Sequence, residues 1–195
     1  MSTVPHRLMT EAEYLAFERR SREKHSFYRG ELFAMAGASR EHNLIALNFG
    51  AELRQQLKNR HCEVYVGDMR VRVDRLGLYT YPDVVVVCGE PEFLDAEVDT
   101  LLNPVLLVEV LSESTEDYDR GMKFKQYRQL ASLKEYLVVS QTEPLIEQFV
   151  RRGDTYWELS EVRGLDQKLS LSSIGCELPF AEAFAKVSFP PETQP

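Results

Sequence analysis

Two carboxylates stand beside stretches of the chain that otherwise favour buried strands. Asp83 precedes the apolar run at 84–88, and Glu109 lies near the end of the apolar run at 105–111. A charge beside a core strand is costly unless a partner or a metal ion compensates it. If the two strands are neighbours and antiparallel, the start of one lies beside the end of the other. Both carboxylates would then meet at one edge of the sheet.

Two acids and a lysine can together cleave a phosphodiester. Carboxylate oxygens bind Mg²⁺ or Mn²⁺, and such an ion activates a water and stabilises charge on a phosphate. Asp119, Lys123 and Tyr127 are spaced four apart, which places them on one helical face. A helix after the second strand would therefore bring Lys123 back over the carboxylates to orient or deprotonate the attacking water. Lys125 is rotated by about 200° around that helix and should point elsewhere.

Each of these residues also has a simpler interpretation. Asp83 follows Pro82, and Pro-Asp is common turn chemistry. Glu109 would then be a buried acid paired with an arginine, for example Arg70 or Arg120. Lys123 would be one of the many lysines that cover helix surfaces. A site of paired carboxylates remains the stronger hypothesis for Glu109, because apolar residues flank it on both sides.

The negative net charge of the chain disfavours nonspecific binding to nucleic acid. The net charge is −8 at pH 7, whereas nonspecific nucleic-acid affinity comes from basic groups that meet phosphates. A nuclease would thus need a local basic patch or a metal ion. Arg70 and Arg72 share one face of an alternating strand at 69–73, so we predict that they lead weak, salt-sensitive binding. A solvated strand face is the alternative for this pair and for the other cations that could join it, Arg54, Lys58, Arg60 and Arg75.

Length and cysteine content fit a globular cytoplasmic protein. A chain of 195 residues with 44% hydrophobic residues is sufficient for one domain, here residues 1–195 with a core at about 10–187. The three cysteines Cys62, Cys88 and Cys176 lie far apart without a CxxC spacing, which predicts reduced thiols in the cytoplasm. The N-terminus has no apolar signal region, and no apolar run reaches membrane-spanning length.

Local patterns predict an α/β fold with a central mixed β-sheet flanked by helices and an added β-hairpin. Thr10 and Glu13 form a capping box, Ser39 can cap a second helix, and four consecutive valines indicate a strand buried on both faces. The predicted elements are helices at 10–22, 41–58, 120–130 and 178–187, strands at 62–66, 69–73, 84–88, 105–111 and 135–139, a hairpin at 27–35 that turns at Arg29-Gly30, and a second hairpin that joins 145–151 to 156–161.

Several of these stretches together resemble the Uma2 family (DUF820), a bacterial group placed in the PD-(D/E)xK nuclease superfamily. The matching motifs are the Pro82-Asp83 pair, VEVLS around Glu109, STEDYDRGMKFKQYR with Lys123, EYLVV from Glu135, and RGELFAMAGASREHNLIALN from Arg29. The resemblance runs from about residue 10 to the C-terminal helix. It implies a restriction-endonuclease-like fold and metal-dependent hydrolysis of nucleic-acid phosphodiesters, with DNA as the expected substrate.

The resemblance also assigns roles. Asp83 and Glu109 would be catalytic and bind Mg²⁺ or Mn²⁺, and Lys123 would be catalytic. The residues that would line the site are Glu31, His42, Asp119 and Tyr127. The expected partners are nucleic acid and, as a homodimer, a second copy of the chain, with no membrane.

Three positions depart from the family pattern. In the superfamily motif the lysine lies two residues after the acid, where this chain has Leu111, so the motif requires that Lys123 has taken over from the helix. Ser26 and Arg29 stand where many relatives carry acids. Two classes of function therefore remain open: an endonuclease, and a non-catalytic nucleic-acid-binding or assembly protein that keeps the fold.

Overall fold

The computed structural model describes residues 8–35, 37–73, 77–112, 118–154 and 156–190, with the backbone alone for 118–120. Its strands form a central six-stranded sheet, a second five-stranded sheet and a two-stranded pair. Helices flank the central sheet, which contains both parallel and antiparallel pairs. The predicted α/β architecture is therefore confirmed.

The helices begin where local chemistry predicts them. Thr10 caps α1 with a complete capping box, and the side chain of Ser39 accepts a hydrogen bond from the His42 amide at the start of α2. The C-terminal helix is shorter than predicted. Within the described part of the chain, no helix has the length and apolar character needed to cross a membrane. The helices are α1 (Glu11–Glu18), α2 (Arg40–Leu57), α3 (Phe124–Tyr127) and α4 (Phe180–Ala183), and a π-helical segment, Tyr118–Lys123, leads into α3.

The central sheet has the strand order β11-β10-β9-β8-β6-β3. Its neighbours are antiparallel except for β8 and β9, which are parallel. The predicted hairpin is present as β10 and β11, which extend one edge of this sheet. The strands are β3 (Cys62–Val66), β6 (Val84–Cys88), β8 (Leu106–Val110), β9 (Glu135–Val139), β10 (Leu145–Arg152) and β11 (Tyr156–Arg163).

The second sheet was not anticipated from the sequence. Its order is β2-β1-β5-β4-β7, and the predicted hairpin at Arg29-Gly30 joins β1 to β2. Both turn residues have positive φ, 51° and 91°, which suits the twist of a two-residue hairpin turn. The strands are β1 (His25–Tyr28), β2 (Glu31–Ala34), β4 (Arg70–Val73), β5 (Leu78–Thr80) and β7 (Thr100–Leu101), while β12 (Lys168–Leu171) and β13 (Cys176–Pro179) form the separate pair.

The four valines of β6 are buried on both faces, as predicted. Val84 and Val86 pack with α2, α4 and the β12–β13 pair. Val85 and Val87 pack with the second sheet and with Tyr127 of α3. The chain crosses from the second sheet to the central sheet between β5 and β6, at Tyr81, Pro82 and Asp83. Asp83 thus lies where the two sheets meet.

The prediction of reduced thiols is wrong for two of the three cysteines. Cys62 and Cys88 are directly opposite each other in the β3–β6 pair, and a disulfide joins them with an S–S distance of 2.04 Å. The two residues are 26 positions apart in sequence, so only the register of the strands brings them together. Cys176 is a free, buried cysteine.

Candidate active site

The register of β6 and β8 brings Asp83 and Glu109 to the same edge of the central sheet. The strands are antiparallel with Val84 opposite Val108, so the next pair along the register is Asp83 and Glu109. The Val110 amide donates a hydrogen bond of 2.8 Å to Oδ2 of Asp83. The predicted antiparallel arrangement of these strands is therefore confirmed, and it positions the Asp83 side chain against the backbone of the strand that carries Glu109.

Lys123 reaches Glu109 from the helical segment that follows β8. Its Nζ lies 2.8 Å from Oε2 of Glu109, and the two side chains are 13% and 4% exposed. The Tyr127 hydroxyl donates a 2.6 Å hydrogen bond to Oε1 of the same carboxylate. Lys123 and Tyr127 are four residues apart and share a helical face, as the spacing predicted, whereas Lys125 is exposed. The simpler hypothesis of an arginine partner is not met by Arg70, which pairs with Asp99.

The Tyr127 hydroxyl is held in its protonated form. Its side chain is fully buried, and burial, followed by the negative charge of Glu109, raises the pKa of Tyr127 well above its ordinary value. A protonated phenol has one hydrogen to donate, so the Tyr127 hydroxyl binds one oxygen of Glu109, Oε1. The ammonium of Lys123 contacts the other oxygen, Oε2.

His42 holds the second carboxylate. Its Nε2 lies 2.8 Å from Oδ1 of Asp83, and the first turn of α2 positions the ring because Ser39 caps that helix. Burial by itself lowers the pKa of His42, but the hydrogen bond and charge of Asp83, together with the charge of Glu109, outweigh it and raise that pKa. The raised pKa favours the protonated imidazolium form of His42 beside Asp83. The sequence suggested only that His42 lines the site, because a separation of 41 residues hides this contact.

The other residues expected to line the site are not joined to it by the described contacts. Glu31 is exposed on β2, an edge strand of the second sheet. The side chain of Asp119 lies outside the described residues, as do Arg75 and the side chain of Arg120. Their predicted roles stay predictions.

The predicted outward face of Arg70 and Arg72 is wrong. Arg70 is 3% exposed, and its guanidinium lies 2.7 Å from Oδ2 of Asp99 and donates to the side chains of Thr100 and Tyr81. Arg72 is half-buried and bonds Glu11 at 3.0 Å. The alternation in β4 is real, but α1 and the segment before β7 cover the face that was expected to meet solvent. These arginines therefore support the fold.

The donor set at the sheet edge fits a hard divalent cation. The described contacts to the carboxylate oxygens of Asp83 and Glu109 come from His42, Val110, Tyr127 and Lys123. A carboxylate oxygen has two lone pairs and can accept a hydrogen bond and bind a metal ion together. Among the described residues, no group of three or more His, Cys, Asp or Glu is placed to hold a metal ion by itself. Mg²⁺ is normally held by one or two carboxylates, with water and substrate phosphates completing its shell.

Comparisons with known proteins agree with this fold. The chain shares its fold with the crystal structure of "a putative nuclease belonging to DUF820" from Anabaena variabilis, with a TM-score of 0.72, 13% identity, and coverage of 90% of this chain and 97% of that one. Residues 11–181 match the Uma2 family model, described as "Putative restriction endonuclease". The chain belongs to the Uma2 family.

Relatives of similar length have been found in a cyanobacterium. Two uncharacterized proteins of Synechocystis sp. are 37% and 35% identical to this chain, over 166 and 173 residues. The matches cover 85% and 89% of this chain and 94% and 90% of the relatives. Family membership therefore extends across most of the chain, including the strands that carry Asp83 and Glu109.

Proposed function

We propose that this protein is a metal-dependent endonuclease that hydrolyses phosphodiester bonds in nucleic acid, with DNA as the substrate. Asp83 and Glu109 bind Mg²⁺ or Mn²⁺, and Lys123 is the catalytic lysine. The observation that carries the proposal is the Lys123–Glu109 ion pair, 2.8 Å long and almost fully buried, beside a second carboxylate on the neighbouring strand. Membership of a family described as "Putative restriction endonuclease" supports the same reaction class.

A purely structural role explains this cluster less well. Replacing a buried ion pair with apolar residues of similar volume is often neutral or stabilising. Glu109 lies within β8, a strand whose five residues are all buried, and an apolar residue there would continue the core. The pKa values of His42 and Tyr127 are raised beside these carboxylates, and clusters of groups with shifted pKa values are typical of functional sites. The cluster is therefore better explained by chemistry than by stability.

The residues around the two carboxylates have separate roles in this proposal. His42 and the Val110 amide orient Asp83, and Tyr127 orients Glu109, for binding of one metal ion by both carboxylates. The ammonium of Lys123 orients the attacking water or stabilises the negative charge that develops on the phosphate. When bound, the metal ion supplies Lewis-acid activation of water and phosphate.

The position of the lysine is the unusual part of the proposal. Leu111 occupies the place of the superfamily lysine, and it is 4% exposed within the core cluster that contains Tyr127. An aliphatic side chain can neither donate nor accept a proton. Lys123 comes from a different element but contacts the same carboxylate that the strand lysine would accompany. We infer that the helical lysine replaces the strand lysine.

Metal binding and cleavage can be measured separately. Mg²⁺ or Mn²⁺ should raise the melting temperature of the wild type, and a concentration of about 100 times Kd would stabilise it by about 2.7 kcal/mol. Asp83→Asn should remove that shift. Circular DNA and RNA incubated with each metal, or with a chelator, test cleavage. Stable binding of nucleic acid with no metal shift and no cleavage would reject the endonuclease and support the non-catalytic alternative.

A further inference from the structure

A short basic segment lies at the surface of this acidic protein. Residues 19–24 read RRSREK, four cations within six residues of a chain whose net charge is −8. We call these residues the basic segment; they connect α1 to β1. Arg19 is bound by Asp95 and Asp99 at 2.7 and 2.8 Å, which anchors the segment to the loop before β7. The other three cations, Arg20, Arg22 and Lys24, are exposed.

Lys24 connects the basic segment to the edge that carries Asp83. Its Nζ donates to the Gly67 carbonyl and to Oδ1 of Asp68, both at 3.0 Å, and it lies 5.8 Å from the ring centroid of Tyr81. The Gly67 amide in turn donates a 2.9 Å hydrogen bond to the Asp83 carbonyl. One residue therefore separates the Lys24 ammonium from the backbone of a proposed metal ligand.

We propose that the basic segment binds the sugar-phosphate backbone of the nucleic acid next to the cleavage position. This inference rests on the proposed function. Phosphates follow one another along a strand at about 3.4 Å of helix axis each, so a strand held at the carboxylates must place further phosphates close by. Arg22 and Lys24 supply the exposed positive charge there, the role that the sequence had suggested for Arg70 and Arg72.

The existing partner of Lys24 does not prevent this contact. Asp68 is 88% exposed and Lys24 is 44% exposed, and ion pairs in such solvated surroundings contribute little to stability. A phosphate can therefore replace the Asp68 carboxylate at the ammonium. If the phosphate replaces Asp68, removing the charge of Asp68 should strengthen nucleic-acid binding, whereas removing the charge of Lys24 should weaken it.

Cations elsewhere provide a matched control. Lys58 follows the C-terminal end of α2, sixteen residues after His42, which is about 24 Å along the helix axis. Lys168 lies near the same end, because it bonds Glu177 and the Glu177 carbonyl accepts from Gln56 of α2. Both lysines are exposed, and the patch that Lys58 was expected to join is not formed, because Arg70 and Arg72 pair with Asp99 and Glu11. The pair Lys58→Glu and Lys168→Glu changes the net charge as much as Arg22→Glu with Lys24→Glu.

Fluorescence anisotropy with labelled single-stranded and double-stranded DNA and RNA, in chelator and at a series of salt concentrations, tests the proposal. The Arg22→Glu/Lys24→Glu protein should bind at least about tenfold more weakly, with a salt slope reduced by about two. The Lys58→Glu/Lys168→Glu protein should keep its slope and bind within about threefold of wild type. Asp68→Asn should bind more tightly than wild type.

The outcomes separate this inference from the proposed function. Equal weakening in both double variants would show that only net charge matters and would overturn the proposal, as would no gain in Asp68→Asn or no binding by the wild type. Circular dichroism and melting temperature check that each variant is folded, and Arg22→Ala repeats the test with a milder change. Cleavage by the wild type is scored independently, so binding through the basic segment without cleavage would support the backbone contact of that segment and reject the endonuclease.

Discussion

Replacing Lys123 with methionine should destabilise the fold by removing the partner of a buried carboxylate. Methionine keeps most of the length and apolar stem of lysine but carries no charge. Glu109 is 4% exposed, and it would keep its hydrogen bond from Tyr127 but lose the ammonium of Lys123. Breaking a buried ion pair by removing one member costs about 3–5 kcal/mol. We expect about 3 kcal/mol, because Lys123 is 13% exposed and therefore not fully desolvated.

Two further variants show whether the loss comes from the unpaired charge. Lys125→Met changes the same residue type two positions away, on an exposed side chain, and should stay within about 0.5 kcal/mol of the wild type. Glu109→Gln in the Lys123→Met background removes the unpaired charge. That double variant should therefore recover at least about 1 kcal/mol relative to Lys123→Met alone.

Urea denaturation followed by far-UV circular dichroism measures these differences as shifts in the midpoint at constant m-value. A free energy of unfolding for Lys123→Met within about 0.5 kcal/mol of wild type would refute the reasoning. So would strict additivity of Glu109→Gln and Lys123→Met, because additive effects mean that the two side chains do not interact.

Three other perturbations probe the surroundings of the site and the sheet. The pKa of His42 is raised in the fold. The contribution of His42 to stability is therefore complete below its ordinary pKa of about 6.5 and is lost as pH rises through the raised value. The His42→Gln substitution should thus lower the free energy of unfolding more at about pH 6 than at about pH 9. Tyr127→Phe removes a hydrogen bond to the Glu109 carboxylate and should cost about 1.5–3 kcal/mol. Tyr14→Phe removes a 2.8 Å hydrogen bond to the His25 carbonyl and should cost about 0.5–1.5 kcal/mol; equal losses in urea denaturation would contradict the assigned acceptors. Reduction of the Cys62–Cys88 disulfide, which spans 26 residues, should lower the free energy of unfolding by about 3.5 kcal/mol in the chain-entropy model. Thiol titration of the unreduced, denatured protein should count one free thiol, and a count of three would contradict the bond.

Short-range chemistry in the sequence predicted the parts of the fold that depend on near neighbours. Thr10 and Glu13 are three residues apart and define the start of α1, and Ser39 does the same for α2. The consecutive valines of β6 have no polar face, so they had to be covered on both sides. The cost of a charge beside a core strand suggested that Asp83 and Glu109 meet, which required β6 and β8 to be antiparallel neighbours, as they are.

Contacts between distant residues could not be predicted in the same way. His42 and Asp83 are 41 residues apart, and their contact depends on how α2 crosses the central sheet. The alternation at 69–73 correctly put Arg70 opposite its valine neighbours, but alternation does not reveal whether a face meets solvent or another element. The Cys62–Cys88 bond required the β3–β6 register, which a sequence spacing of 26 does not contain.

The most direct test of the proposed active site is the rate of metal-dependent cleavage of circular nucleic acid by Lys123→Met and Lys125→Met. Circular substrates report internal cuts alone, and a temperature well below the melting point keeps both variants folded. A general acid–base residue contributes about 10²–10⁴-fold to the rate, so Lys123→Met should lose at least about 100-fold. Lys125→Met should cleave within about twofold of wild type, because its side chain is exposed. Equal loss in both variants, or no loss in either, would contradict the assignment of Lys123 as the catalytic lysine.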